Sequence, residues 1–257
     1  MKLLTPFSHA DILALQFMWT SLYYGHTQDR EARHSRRLAG EATDRRPRGA
    51  PQGTGADMAQ GFCVWLTGLS DAGKTTLATL LEQALLERGL SVEVLDGDHI
   101  RRALSPELGF SQEDRDLNIR RIGFLAQRLA HHGVAVIAAA ISPFRRTRDE
   151  VRAGFEHFVE VFVSCPIEVL KTRDTKGLYR RFAEGQITGL AGLDDPYEPP
   201  LHPEVVVSTD RETPVEGMRR VLGALELLKL IPAVPGEEYS EEETRVLEKR
   251  LKDLGYI

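Results

Sequence analysis

The chain has 257 residues, which is enough for one substantial domain with appendages or for two small domains. Hydrophobic residues make up 42% and charged residues 28%, a composition that excludes a wholly disordered chain. The net charge of −5 argues against nucleic-acid binding through bulk charge, and no apolar run reaches the roughly 18 residues of a membrane span. Cys63 and Cys165 fit neither a disulfide framework nor a metal site, so a reducing cytoplasm is the expected compartment.

Residues 1–60 are predicted to form a leader without a fold of its own. From residue 28 to residue 60 the leader is rich in Arg, Ala, Gly and Pro and lacks helical or strand periodicity, which is typical of disorder. Met58 stands just before the first strand pattern, so the leader could be non-native, read from an upstream translation start. It could instead be a basic arm that binds a partner.

From residue 61 onward, short apolar strands alternate with amphipathic helices, the pattern of an α/β protein with a parallel sheet. The predicted strands are 62–67, 91–95, 134–140, 157–163 and 205–208. The predicted helices are 75–88, 113–132, 146–154 and 213–230. These elements predict one parallel sheet of about five strands, flanked by helices.

Two later segments depart from this alternation. Residues 174–203 are rich in Gly and Pro and lack strong periodicity, and so long a loop in a compact domain is typically either functional or disordered. The functional candidate is a lid. In the tail, residues 233–257, Ser240 and Glu243 form a capping-box pattern, and Leu247, Leu251 and Leu254 follow at helical spacing. We therefore expect a short C-terminal helix whose apolar stripe covers the sheet edge or meets a second subunit.

A phosphate-binding motif follows the first predicted strand directly. It reads Gly68-Leu69-Ser70-Asp71-Ala72-Gly73-Lys74-Thr75, with Thr76 next, and a helix pattern begins at once. The glycines let backbone N–H groups point inward, Lys74 reaches the β/γ-phosphate oxygens, and Thr75 offers a hydroxyl to Mg²⁺. The motif predicts ATP binding but by itself does not separate a kinase from a GTPase switch, a motor or a nucleotide-binding scaffold.

The end of the second predicted strand carries two carboxylates and an arginine, Asp96, Asp98 and Arg101. Ligands of open α/β sheets collect at the carboxyl ends of the strands, so these residues indicate an acceptor site beside the P-loop. One carboxylate can activate a hydroxyl and the other can hold a Mg²⁺-bound water, and the spacing leaves both assignments open.

Arginines then accumulate around an aromatic residue and an amide. The set comprises Arg101, Phe110, Arg115, Asn118, Arg120 and Arg121. Because Arg120 and Arg121 are adjacent on a predicted helix, we expect one of them to face solvent. Guanidinium groups bind phosphate or sulfate oxygens with paired hydrogen bonds, and an aromatic ring can stack on a base. This set predicts an anionic, aromatic acceptor, whereas a kinase of a neutral hydroxylated metabolite would not need it.

From about residue 61 to residue 216 the chain resembles the adenylyl-sulfate kinase (APS kinase) family. The motifs that carry the resemblance are the P-loop, Asp96-Gly-Asp-His-Ile-Arg101, Leu108-Gly-Phe-Ser111, Asn118-Ile-Arg-Arg121, Ile141-Ser-Pro-Phe144, Lys176-Gly-Leu-Tyr179 and Asp195-Pro-Tyr-Glu-Pro199. The resemblance implies a P-loop kinase domain over residues 61–232. It also implies Mg²⁺-dependent transfer of the ATP γ-phosphate to the 3′-hydroxyl of adenosine 5′-phosphosulfate, the intermediate of sulfate assimilation that becomes 3′-phosphoadenosine 5′-phosphosulfate.

The resemblance also implies residue roles. Asp96 is the candidate base, supported by Asp98, and Lys74 acts on the phosphates. Ser142 matches a serine considered as a phosphoenzyme site, although an ordinary turn serine before proline explains it as well. The implied substrate-binding residues are Asp98, Arg101, Phe110, Arg115, Asn118, Ile141, Ser142, Lys176 and Leu190, with residues 176–198 as the lid.

Two residues depart from the family pattern. Asp71 stands in the P-loop where a small residue is usual, and Leu190 replaces an aromatic residue that would complete an adenine sandwich. A carboxylate aimed at the triphosphate would weaken ATP binding, whereas one aimed at solvent would not. These departures keep open an alternative function, that of a regulatory subunit that binds nucleotide but has lost catalytic turnover. A homodimer and an association with ATP sulfurylase are compatible with the resemblance.

Overall fold

The computed structural model describes residues 61–234 and 241–257, so the predicted leader lies outside the described residues. Five parallel strands form one sheet in the order β2-β3-β1-β4-β5. The strands are β1 (Phe62–Thr67), β2 (Val92–Asp96), β3 (Ala135–Ala139), β4 (Phe158–Ser164) and β5 (Val205–Ser208). The predicted parallel sheet is therefore confirmed, with boundaries that shift by one residue at most.

Eight helices are present in the described residues. They are α1 (Lys74–Glu87), α2 (Gly97–Leu104), α3 (Gln112–His131), α4 (Arg145–Arg152), α5 (Ile167–Arg173), α6 (Leu178–Ala183), α7 (Pro214–Leu227) and α8 (Glu241–Asp253). The four long or amphipathic helices match the prediction. Helices α2, α5 and α6 have six to eight residues and were not predicted. Helix α2 begins at once after β2 with a glycine, and α5 and α6 lie before and within the Gly- and Pro-rich stretch 174–203, so no clear hydrophobic period marked them.

The core lies on both faces of the sheet because every residue of β1 and β3 is buried. Alternate residues of β1 point to opposite faces. Phe62, Val64 and Leu66 join the side chains of α1 and α7 in one cluster, whereas Cys63 and Trp65 join those of α3 in the other. Burial on both faces explains why the strands read as continuous apolar runs rather than as an alternation.

The C-terminal helix α8 packs on the domain's own core. Leu247 belongs to the cluster that contains α7, and Leu251 is fully buried, while Leu254 is half-buried. The predicted apolar stripe therefore covers this domain rather than a second subunit. Ser240, the first residue of the predicted capping box, lies outside the described residues. Within the described ranges, no helix is long and apolar enough to span a membrane.

Candidate active site

The P-loop connects β1 to α1, and its two glycines are required for different reasons. A Cβ on Gly68 would lie 2.3 Å from the carbonyl oxygen of Val163 on β4, so only glycine fits there. Gly73 precedes α1 with a φ of 99°, in the region that favours glycine. The loop is thereby held tightly against β4, with the N-terminus of α1 opening on the cleft.

Lys74 folds back over the loop that carries it. Its Nζ donates to the carbonyl oxygens of Gly68 and Leu69 at 2.9 and 2.7 Å. Burial first, and then the charge of Lys176, lower the pKa of Lys74 to about 8, against the opposing effect of nearby carboxylates, Asp98 first. An anionic phosphate in the loop would favour the charged ammonium and restore its ordinary protonation.

The side chain of Asp71 points to the lid. The sequence left open whether it is aimed at the triphosphate or at solvent, and the observed orientation is neither. It has a φ of 58°, and its Oδ1 accepts a hydrogen bond from the hydroxyl of Thr175. Its Oδ2 is buried without a hydrogen-bond partner among the described residues. Nearby, the hydroxyl of Tyr179 donates to the carbonyl oxygen of Ser70 at 3.1 Å. The P-loop and the start of the lid are therefore joined directly.

Asp96 ends β2 and caps α2. Its Oδ1 accepts from the backbone N–H groups of Asp98 and His99, both at 3.0 Å, which fixes the orientation of the carboxylate. The hydroxyl of Thr75 donates to the other oxygen, Oδ2, at 3.4 Å. The predicted catalytic carboxylate and the predicted Mg²⁺ ligand are thus neighbours.

Asp98 forms an ion pair with a lysine of the lid. Lys176 Nζ lies 2.5 Å from Asp98 Oδ2. Burial alone would raise the pKa of Asp98, but the hydrogen bond and charge of Lys176 hold it below its usual value. Burial would likewise lower the pKa of Lys176, but Asp98 raises it. Both groups are therefore charged near neutral pH, and the pair connects the lid to the acceptor side.

The predicted arginine–aromatic set assembles at the far end of the cleft. The guanidinium of Arg101 lies 4.5 Å from the centre of the Phe110 ring, and that of Arg115 lies 5.6 Å from it. Arg115 also donates to the carbonyl oxygen of Gly189 at 2.6 Å and pairs with Asp195 at 2.7 Å. Phe110 is 68% exposed, so its ring remains available for stacking.

Arg120 and Arg121 do not join this set. Arg120 pairs with Glu150 of α4 at 2.8 Å, and Arg121 pairs with Glu107 at 2.6 Å. The adjacency of the two arginines on a helix predicted that one of them faces solvent, but the sequence could not show that both pair with glutamates of neighbouring segments. They instead connect α3 to its neighbouring segments.

Asn118 and Leu190 are buried next to the cleft, and Asn118 Oδ1 has no hydrogen-bond partner among the described residues. Ser142 is also buried, with a φ of 42°, and its Oγ accepts from Trp65 Nε1 at 3.0 Å and donates to the carbonyl oxygen of Ala140 at 3.3 Å. The hydroxyl proton is thus donated to a backbone carbonyl and not to a base, whereas an activated serine nucleophile donates its proton to a general base.

One cleft of about 1060 Å³ brings most of the predicted residues together. Its lining includes Ser70, Asp71, Gly73, Lys74, Thr75, Thr76, Asp96, Asp98, Arg101, Phe110, Arg115, Asn118, Ile141, Ser142, Lys176 and Leu190. Gly68, Leu69 and Ala72 form the loop beneath it. The donor and acceptor halves therefore share one continuous space.

The sequence missed one residue at the donor end, Arg173 at the end of α5. Its Nη1 donates to Thr209 Oγ1 at 2.9 Å, and that hydroxyl donates to the carbonyl oxygen of Ala72 at 3.0 Å. Arg173 and Thr209 both line the cleft beside the P-loop. A lone arginine in a helix that was not predicted belongs to no motif. The sequence offered one indirect indication, namely that Thr209 directly follows the last strand of the sheet.

Known proteins with similar sequences and structures fit this arrangement. The family described as adenylylsulphate kinase matches residues 60–208. An adenylyl-sulfate kinase of Rippkaea orientalis is 54% identical over 169 residues, covering 66% of this chain and 93% of the relative. A probable bifunctional SAT/APS kinase 2 of Sorangium cellulosum is 55% identical over 172 residues, 67% of this chain but only 30% of that longer relative.

Among solved structures, the APS kinase CysC of Mycobacterium tuberculosis in complex with AMPPNP and APS is similar at a TM-score of 0.63 and 40% identity. The match covers 65% of this chain and 98% of that one. The sheet order, the P-loop and the acceptor-side motifs lie in the matched region. The chain belongs to the adenylylsulphate kinase family, and it is a kinase with the P-loop fold.

Proposed function

We propose that this kinase transfers the γ-phosphate of ATP to the 3′-hydroxyl of adenosine 5′-phosphosulfate, giving ADP and 3′-phosphoadenosine 5′-phosphosulfate. The observation that carries this function is the single cleft in which the P-loop faces Asp96 and the arginine–aromatic set. In-line transfer requires donor and acceptor in one water-excluding space, since positioning and electrostatics supply most of the catalysis of phosphoryl transfer.

On the donor side, the backbone of the P-loop and the N-terminus of α1 bind the β- and γ-phosphates. Lys74 exchanges its contacts with Gly68 and Leu69 for phosphate oxygens and stabilises the charge that develops during transfer. The pair of Thr75 and Asp96 suits Mg²⁺, which prefers one or two protein oxygens together with phosphate oxygens. Mg²⁺ bound with ATP would neutralise charge on the transferred phosphoryl group.

On the acceptor side, Asp96 orients the 3′-hydroxyl and accepts its proton as the oxygen attacks the γ-phosphorus. The two N–H groups hold its Oδ1, and Oδ2, whose bond from Thr75 is long at 3.4 Å, takes this role. Asp98 and Lys176 hold the lid over the reacting atoms. Arg101 and Arg115 bind the phosphosulfate through their guanidinium forks, and Phe110 stacks on the adenine, with Leu190 contributing an apolar wall.

Ser142 has a positioning role in this proposal. Its bonds to Trp65 and Ala140 hold the backbone of the Ile141 segment against the substrate. Direct transfer between ATP and the 3′-hydroxyl needs no phosphoserine, and the Ser142 hydroxyl donates its proton to a carbonyl oxygen rather than to a base.

The test is a coupled assay of the full chain with ATP, Mg²⁺ and adenosine 5′-phosphosulfate, following both ADP and the 3′-phosphorylated product. Asp96→Asn keeps the shape of the side chain but removes the base, so kcat should fall by about 10²- to 10⁴-fold. Glu93→Gln, on the exposed face of the same strand, is the matched control and should leave kcat unchanged. ATP binding without product in the unmodified chain would instead favour the regulatory-subunit alternative.

We also propose a homodimer and an association with ATP sulfurylase. The bifunctional SAT/APS kinase of Sorangium cellulosum supports the second of these, because its name joins the two activities in one chain. Light scattering on the purified chain measures the first, and co-elution with separately purified ATP sulfurylase measures the second. A monomeric mass or separate elution would refute the respective proposal.

A further inference from the structure

Behind the acceptor half of the cleft lies a charge network, in which Arg148, Glu160 and Glu204 are buried and Arg152 and Tyr256 lie closer to solvent. Arg148 is 2% exposed, and its Nε lies 2.8 Å from Glu160 Oε1. Arg152 lies 3.4 Å from Glu160 and 2.6 Å from Glu204, which is itself 1% exposed. The two arginines and two glutamates balance in charge, so the network can remain charged in the interior.

One end of this network holds two segments of the substrate site. Arg148 Nη1 donates to the carbonyl oxygen of Ser142 at 2.6 Å, and its Nη2 donates to the carbonyl oxygen of Glu198, at the end of the lid, at 2.8 Å. A direct contact reinforces this junction, since the N–H of Glu198 donates to the carbonyl oxygen of Pro143 at 2.8 Å. Arg148 therefore joins the Ser142 segment to the lid.

The other end of the network is closed by the C-terminal segment. The hydroxyl of Tyr256 donates to Glu204 Oε1 at 2.6 Å and accepts from Arg152 Nη1 at 3.2 Å. Burial first, and then its bond to Glu204, raise the pKa of Tyr256 to about 12, so the phenol stays protonated near neutral pH. Arg250 of α8 donates to the carbonyl oxygen of Pro203, the residue before Glu204, at 2.7 Å.

The closing residue lies outside the region that defines the family. The family match ends at residue 208, whereas Tyr256 follows α8 near the end of the chain. Helix α8 is held by Leu247 and Leu251 in the core, so it carries Tyr256 to a fixed position. Leu254 and Tyr256 line a cavity of about 310 Å³ together with Arg145 and Arg148, so the C-terminal segment lies beside the network.

We propose that Tyr256 is a positioning residue for the acceptor substrate: through Glu204, Arg152, Glu160 and Arg148 it sets the placement of the Ser142 segment and the lid. Desolvation offsets most of the net stability of a buried ion pair, but its directional bonds fix geometry. Loss of the phenol hydroxyl leaves Glu204 with one donor fewer and lets Arg152 and Glu160 rearrange. The proposal rests on the proposed function for the identity of the acceptor.

The test uses the full chain and Tyr256→Phe, which removes one oxygen from a side chain that is 44% exposed and should not impair folding. The KM for adenosine 5′-phosphosulfate should rise by about three- to tenfold, since 1.4 kcal/mol corresponds to tenfold. The KM for ATP should change by less than about twofold, because the P-loop is on the other side of the cleft. Val246→Ala, on the exposed face of α8, is the matched control and should change neither constant.

A second measurement does not depend on turnover. Trp65 donates to Ser142 Oγ, so its fluorescence reports on the Ser142 segment. In a Trp19→Phe background, where Trp65 is the single tryptophan, Tyr256→Phe should shift the emission and Val246→Ala should not. An unchanged emission together with an unchanged KM for the acceptor would overturn the proposal. A lower Tm with unchanged KM values for the acceptor and for ATP would also overturn it. If the unmodified chain made no product, the proposed function would fail, and the fluorescence would still decide the positioning role.

Discussion

The two halves of the cleft are built in opposite ways. The donor half is centred on one contiguous segment, the P-loop, whose geometry comes mainly from backbone packed against β4 and from the start of α1, with Arg173 and Thr209 beside it. The acceptor half draws side chains from β2, α3, the Ser142 segment and the lid, and holds them by ion pairs and hydrogen bonds between segments. Substitutions in the donor half should therefore lower both the stability of the fold and the affinity for ATP. Substitutions in the acceptor half should weaken the binding of the acceptor substrate alone.

The largest effect is expected from Gly68→Ala. Its new Cβ would lie 2.3 Å from the carbonyl oxygen of Val163, so β1, β4 or the loop must move. Overpacking of this kind costs about 1–3 kcal/mol, and we expect a lower Tm together with loss of ATP binding. Gly89→Ala is the control: it is also a glycine with positive φ, but no described residue lies within 4 Å of its added Cβ. Thermal melts and ATP titrations of both variants check this, and equal melting shifts would contradict it.

A selective effect is expected from Arg115→Met in the acceptor half. It removes the guanidinium that contacts Gly189 and Asp195 and lies near the Phe110 ring. Hydrogen bonds to charged groups are worth about 1.5–3 kcal/mol, so the KM for adenosine 5′-phosphosulfate should rise by about ten- to a hundredfold while the KM for ATP changes little.

Arg120→Met, on the same helix but paired with the exposed Glu150, is the control and should leave both constants unchanged. Steady-state kinetics with each substrate varied separately make the comparison. If Arg115→Met raised the KM for ATP as much as the KM for adenosine 5′-phosphosulfate, the donor and acceptor halves would not be independent of each other.

A smaller effect concerns pH and the donor half. Since burial lowers the pKa of Lys74 to about 8 and bound phosphate favours the charged form, ATP binding should be accompanied by proton uptake. The affinity for ATP should therefore fall as pH rises above about 8, by no more than about tenfold per pH unit. Calorimetry at pH 7, 8 and 9 measures this, and the same slope in Lys74→Met would assign it to another group.

The same pKa has a consequence for stability. The pKa of Lys74 is lower in the folded chain than the usual value near 10.5, so the unfolded chain binds more protons between pH 8 and 10.5. The contribution of Lys74 to stability is therefore unfavourable below pH 8 and is relieved as pH rises through that window. Denaturant titrations of the unmodified chain and Lys74→Met should converge with rising pH.

The smallest effect is expected from Asp71→Gly at the junction of the P-loop and the lid. Glycine relieves the positive φ of 58°, but the substitution also removes the bond to Thr175. These contributions are each of about 1 kcal/mol and oppose one another, so Tm should change little. Loss of a carboxylate near the triphosphate should lower the KM for ATP by less than about threefold. Thr175→Val, which removes the hydroxyl alone, should not lower it.

The parallel sheet, the P-loop and the helix that follows it could be predicted from the sequence because each depends on residues that are adjacent in the chain. Continuous apolar runs indicated strands buried on both faces, and the spacing of Gly68, Gly73 and Lys74 indicated a phosphate loop. The stripe of Leu247 and Leu251 likewise indicated α8, since helical periodicity is a local property.

Other features could not be read from the sequence, because they depend on which charges meet in space. The orientation of Asp71 toward Thr175, the pairing of Arg120 and Arg121 away from the cleft, and the position of Arg173 all depend on contacts between distant segments.

The sequence by itself determined the class of fold, the phosphate-binding chemistry and the membership of a kinase family, since these follow from local patterns. Only the tertiary structure decided how the acceptor half is held. Arg148, Glu160, Glu204 and Tyr256 look like ordinary surface residues in the sequence, yet three of these four are buried together. The desolvation of a buried charge must be offset by partners of opposite charge or by hydrogen bonds. Here those partners come from distant segments, which lie together only in the folded chain.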